Sequence, residues 1–223
     1  MANIYSFSKI ILLLKKLRTS DYLLVLIFIT LPLKNIFVSI VTILFVSWVF
    51  FLSKKEVNFQ KFFFLPIAFF ILMIFSLSWS YNLNNTFYGL QKQLPFLFIP
   101  LAFILLGKTT RKDLLKIFRI YSFGMVFFGF LILIRAFFRY VESNDTSVFF
   151  HNKLVPNDPG AIYLSVFASF AVFYFIQIQT KNIFEKSSVF LLVLLIFLLS
   201  SKSIITIDFI IIICYYTFFV TIS

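Results

Sequence analysis

Four stretches of the chain, Phe62 to Trp79, Phe87 to Leu106, Leu114 to Phe138 and Ala161 to Ile178, are long and mostly apolar. A helix needs about 20 mostly apolar residues to cross the roughly 30 Å hydrocarbon core of a bilayer, and each of these stretches meets that length. Two more lie near the end, Ser188 to Ser200 and Ile204 to Ile222, parted only by Ser201-Lys202-Ser203. The first of these is short, so its ends are expected to draw on Lys186 and Lys202 by snorkelling. Tyr22 to Leu52 is too long for one upright span, about 46 Å at 1.5 Å per residue. It divides into two at Pro32-Leu33-Lys34-Asn35.

Composition agrees with a lipid environment. Apolar residues make up 61% and charged residues 13% of 223, against about 45–50% and about 25% in soluble domains. Mean hydropathy is +1.03. Thirty-six Phe and only five Gly exclude a disordered or collagen-like chain. The net charge of +12 would suggest nucleic acid in a soluble protein; in a membrane chain its placement matters instead, because cytoplasmic loops collect Lys and Arg. With Tyr22–Leu52 counted as two spans, the N-terminal segment, 53–61, 108–119 and 179–187 lie inside and hold 14 of the 20 basic residues. Lys34, Lys92, Arg135, Arg139, Lys153 and Lys202 lie outside.

The expected fold is therefore all-α: a polytopic transmembrane bundle of eight spans with a cytoplasmic N-terminus. Residues 1–21 form a basic cytoplasmic segment, and 22–223 form the helical domain with its main outer loop at 140–160. The chain stops at Ser223, at the inner end of the eighth span with no basic anchor after it, an ending that reads as an incomplete C-terminus. No small-residue cleavage site follows the apolar N-terminal stretch, so a removable signal peptide is not expected. One cysteine, Cys214, allows no intramolecular disulfide, and with the single His151 it rules out a Cys/His zinc site. No Gly-rich phosphate loop is present. Neither a metal nor a cofactor is expected.

The residues with chemical potential collect on the outer side. Arg135 and Arg139 are four apart and share a helix face near the outer end of the fifth span; guanidinium groups there can grip phosphate oxygens as a bidentate fork, or simply anchor to headgroups. Lys202, flanked by serines in a turn too short to be a solvated loop, is placed to bind an anion or to serve as an interfacial lysine. Asp208 lies six residues further, about 9 Å deeper on a continuous helix. A carboxylate at that depth costs about 2.5–3.5 kcal/mol and calls for a partner facing the bundle interior, with Arg135 and Lys202 as candidates. His151 and Lys153 sit in the outer loop, where an imidazole can act as base or donor or remain merely solvated. Asp158-Pro159-Gly160 reads as the turn that starts the next helix.

Taken in order, Ser76-Leu77-Ser78-Trp79-Ser80, Leu90-Gln91-Lys92-Gln93-Leu94 and Ile99-Pro100-Leu101-Ala102-Phe103 resemble the N-terminal half of the O-antigen ligase and O-antigen polymerase family of bacterial membrane proteins. His151 to Ser165 resembles that family's outer loop and following helix, and Leu198-Leu199-Ser200-Ser201-Lys202 resembles its Leu-Ser-Ser-Arg segment. The resemblance implies a metal-independent glycosyltransferase of the bacterial inner membrane in lipopolysaccharide biosynthesis. It would act on an undecaprenyl-pyrophosphate-linked glycan, with an acceptor glycolipid and membrane lipids as its other partners and no nucleic acid. Basic residues at the outer face hold the pyrophosphate in that family. This fits Arg135, Arg139 and Lys202 as pyrophosphate-binding residues, with His151, Lys153 and Asp208 as further candidates. Lys202 stands where the family has Arg and loses the bidentate fork. The large outer loop and later helices that carry the family's presumed base would follow residue 223, so no catalytic residue is assigned. The residues alone leave open a transporter or flippase for a lipid or anionic solute, and a non-catalytic membrane subunit.

Overall fold

A computed structural model describes residues 19–52, 57, 60–106, 110–155, 160–178, 182–199 and 202–217, without the side chain of Arg111. The N-terminal basic cluster, Ser200, Ser201, Asp158-Pro159 and the end of the last expected span lie outside these residues. Among the described residues the chain is all-helical, with no strand.

Helices α1 (Thr19–Thr30) and α2 (Asn35–Phe51) form a hairpin. The chain breaks between them where Pro32 lacks an N–H for the helical ladder; Thr30 Oγ1 turns back to the Leu26 and Ile27 carbonyls, both at 2.9 Å, and closes α1. Helix α1 begins inside the segment expected to be an N-terminal tail and buries Ser20 and Asp21. Helix α3 (Phe64–Phe75) is flanked by 3-10 turns, Lys61–Phe63 and Ser76–Trp79. Asn82 caps α4 (Leu83–Lys92), accepting from the Asn85 N–H at 3.1 Å. Pro95, suited to the first position of a helix, opens α5 (Pro95–Leu106) after a turn at Gln93–Leu94.

The spine is α6 (Arg111–Ser143), 33 residues long. Thr110 caps its start, accepting from the Asp113 N–H at 3.3 Å, and Asn144 stops it in the left-handed region at φ 50°. Beyond a 3-10 turn at Thr146–Phe149 come α7 (His151–Leu154), α8 (Ala161–Gln177), α9 (Ile183–Leu198) and α10 (Lys202–Tyr215). Helix α9 starts five residues before the expected Ser188, because Glu185 accepts from the Asn182 N–H at 3.0 Å and caps an earlier first turn.

Among the described residues three helical runs are long and apolar enough to cross a membrane: Lys61–Trp79, Leu83–Leu106 and Lys112–Ser143. The α1–α2 pair and α8 are shorter apolar helices of 12 to 17 residues. Helix α6 joins two cores. One packs α6, α8 and α9 around Tyr121, Phe175, Leu192 and Leu195, with Leu154 inserted from α7; the other packs α1, α2 and α5 around Leu24, Phe45 and Ile117. Tyr121 is 1% exposed, and its hydroxyl donates to the Phe167 carbonyl at 2.7 Å, a second bond on a carbonyl of the α8 ladder that ties α6 to α8.

Candidate functional site

The segment expected to be the main outer loop, 140–160, holds the end of α6, a 3-10 turn and a short helix up to Val155. Helix α6 runs on through its first residues to Ser143, and beyond Asn144 the chain folds back onto the end of α6. Asp145 forms an Asx turn, its Oδ1 accepting from the Ser147 N–H at 2.9 Å and its Oδ2 from the Ser147 hydroxyl at 2.5 Å. Lys153 Nζ donates to the Ser147 Oγ at 2.6 Å and pairs with Asp145 Oδ2 at 3.3 Å. The two Ser147 bonds, helped by Lys153, hold the exposed Asp145 carboxyl below its usual range. Asn152 Oδ1 accepts from the Ala161 N–H at 3.3 Å and satisfies one free donor at the start of α8.

Arg139 is the tie between this segment and the bundle. Its Nη1 donates to the Lys153 carbonyl at 2.6 Å and its Nη2 to the Leu154 carbonyl at 3.2 Å. These are end carbonyls of α7, the groups a cation caps best. Its Nε is buried with no partner among the described residues. The guanidinium fork expected to hold phosphate is thus engaged with backbone, and Leu154, only 1% exposed, is the apolar plug it pins in place. Lys153 is likewise engaged within the segment.

Arg135, one turn back along α6, is exposed and has no partner among the described residues. Arg119 and Arg139 lie 20 residues apart on the one continuous helix, about 30 Å along its axis, which equals the thickness of a bilayer's apolar core. Between them the sequence from Ile120 to Phe138 carries a single charge, Arg135, set about 6 Å inside the Arg139 end.

His151 is exposed and opens α7 with φ 53°, a left-handed conformation that a non-glycine residue rarely adopts. Lys202, expected within a turn, is instead the first residue of α10 and is exposed. The partner expected for Asp208 was a cation; the structure supplies a hydroxyl. Ser169, buried on α8, donates from Oγ to Asp208 Oδ2 at 2.5 Å and also lies 2.9 Å from the Ser165 carbonyl. This contact fastens α10, which buries none of its own residues, to α8.

The candidates therefore fall into two groups. Arg139 and Lys153 meet at the 144–155 segment, which also carries His151, with Arg135 one turn away on α6; Asp208 and Lys202 lie on α10. Asp145, Ser147, Asn152 and Ser169 carry the interactions that hold these groups and were not singled out from the sequence. The spacing Asp145-x-Ser147 is an Asx-turn signal that could have been used; nothing local marks Ser169. The chain matches no family model, no curated protein and no solved structure.

Proposed function

We propose that the chain is a multi-pass protein of the bacterial inner membrane, the front part of an envelope glycan ligase or polymerase that takes glycans from undecaprenyl pyrophosphate. In this reading eight helices cross the bilayer, the N-terminus is cytoplasmic and the 140–160 segment faces outward. The α1–α2 hairpin returns the chain to the side it left, so everything after Leu52 keeps its sidedness even if α1, about 18 Å long, crosses only partway.

The observation that carries the reading is Arg135. A cation set about 6 Å inside the apolar stretch of α6, exposed and without a described partner, is expensive unless it serves an anion or reaches the headgroups. The order of short motifs resembling the ligase and polymerase family supplies the identity of that anion. Lys202, exposed at the start of α10, is in this reading the second pyrophosphate ligand, and Arg139, one turn from Arg135, acts indirectly by fixing the neighbouring segment. Fixed cations facing a departing pyrophosphate stabilise its charge without reorganising.

The test is retention of undecaprenyl pyrophosphate by the purified chain in detergent, followed by native mass spectrometry. Arg135→Gln and Lys202→Gln should each weaken retention about tenfold or more; retention unchanged in both variants would sink the proposal. A second reading, a membrane subunit without chemistry, is favoured by the engagement of Arg139 and Lys153 inside their own segment. It predicts that neither substitution matters.

A further inference from the structure

Helices α6 and α9 leave a groove of about 300 Å³ between them, far from the 140–160 segment. Phe123, Phe127 and Phe130 line it from α6, and Phe184 and Leu191 from α9. Phe123 and Phe184 stack at 5.9 Å at one end. Near the other, Gly129 lets Leu191 and Leu195 approach so closely that a Cβ on it would sit 3.3 and 3.1 Å from their Cδ2 atoms. Ser187 and Ser188 also border the groove, but their hydroxyls turn back to the Ile183 and Phe184 carbonyls at 3.0 and 2.8 Å. The walls are thus apolar, and Phe127, 65% exposed, opens them to the surroundings.

Charge marks one end only. Arg119 lies one turn before Phe123 on α6, and Lys186 is exposed between Phe184 and Ser187 on α9. The nearby carboxylate, Glu185, is turned to the Asn182 N–H. From Arg119 to Phe130 the helix rises about 16 Å, close to half of the roughly 30 Å apolar core, which is the depth of one leaflet. A greasy slot one leaflet deep with two cations at its mouth has the shape and charge of a single phospholipid.

We infer that this groove holds one anionic phospholipid from the leaflet at the Arg119 end, its acyl chain along Phe127 and its phosphate against Arg119 and Lys186. The inference rests on the membrane placement proposed above. It differs from the pyrophosphate site in its position along α6 and in its side of the membrane.

The experiment uses the full chain, stripped of lipid in detergent and offered equal phosphatidylglycerol and phosphatidylcholine, with bound lipid counted by native mass spectrometry. Phosphatidylglycerol should be retained about tenfold in preference, and Arg119→Gln with Lys186→Gln should abolish the preference. Equal retention of both lipids, or a preference that survives the double substitution, overturns the inference. Should the double variant fail to fold, a photo-crosslinker at Phe127 in the otherwise unaltered chain, reconstituted in the same lipid mixture, gives a second readout. Its adducts should be enriched in phosphatidylglycerol relative to those from a crosslinker at Phe137, and equal adduct ratios at the two positions overturn the inference. A chain that stays in the aqueous fraction defeats the membrane placement along with it, whereas a membrane-bound chain without headgroup preference defeats the lipid site alone.

Discussion

Replacing Arg139 with Met keeps the apolar stem and removes every donor. Two charge-assisted bonds are lost, to the Lys153 and Leu154 carbonyls. Such bonds contribute about 1.5–3 kcal/mol each when shielded. The Lys153 bond is exposed and screened, so most of the loss falls on the part-buried Leu154 bond, and the total should be about 2 kcal/mol. That free energy opens the segment locally without unfolding the bundle, because the helices of the core make no use of these bonds. Amide hydrogen exchange across 144–155 in micelles reads local opening directly, and about 2 kcal/mol corresponds to roughly a thirtyfold loss of protection. Arg135→Met, on the same helix face but without a bond to the segment, should leave protection unchanged. If Arg139→Met also leaves 144–155 protected, or if both variants loosen it equally, the tie assigned to Arg139 is wrong.

Three further outcomes rest on the same kind of contact. Because the folded Asp145 carboxyl titrates below its ordinary value of 3.8, its bonds to Ser147 and Lys153 are complete above that pH and are lost as pH falls through the lower folded value. The Ser147 amide shift should therefore titrate below 3.8 and not at all in Asp145→Asn; a midpoint at or above 3.8 contradicts the assignment. Ser169→Ala strands Asp208 and should cost about 1–3 kcal/mol, seen as a lower Tm in detergent. Asp208→Asn retains an acceptor for the hydroxyl and should cost less, so an equal loss in both speaks against the pair. Tyr121→Phe removes the bond from α6 to the Phe167 carbonyl, which keeps its own place in the α8 ladder, and should cost about 0.5–1.5 kcal/mol, whereas an unchanged Tm would show that the bond adds no net stability.

The parts of the fold that were legible in the sequence are those set by local chemistry. Apolar length marked the helices, Pro32 marked the break between α1 and α2, and Gly160 marked the start of α8. The end of α6 was misread because Tyr140 to Ser143 is polar enough to look like loop. Polar side chains do not by themselves end a helix, and this one stops only where Asn144 turns left-handed. Lys202 looked like a turn residue because three serines surround it, yet it begins a helix. At the candidate site, the i, i+4 spacing of Arg135 and Arg139 was visible but their different fates were not. Those depend on α7 folding back 14 and 15 residues later to offer two carbonyls. The need of Asp208 for a partner was equally visible, while Ser169, 39 residues away on an apolar helix, carries no local sign of being that partner.

Sidedness is the claim on which the rest depends, and the single native cysteine makes it accessible. In a Cys214→Ser background, single cysteines placed at Ser147 and at Lys112 would be exposed to a membrane-impermeant thiol reagent added to intact spheroplasts. The account predicts labelling at Ser147 from outside and at Lys112 only after the membrane is opened. Labelling at Lys112 in intact spheroplasts, or at both positions alike, would contradict it.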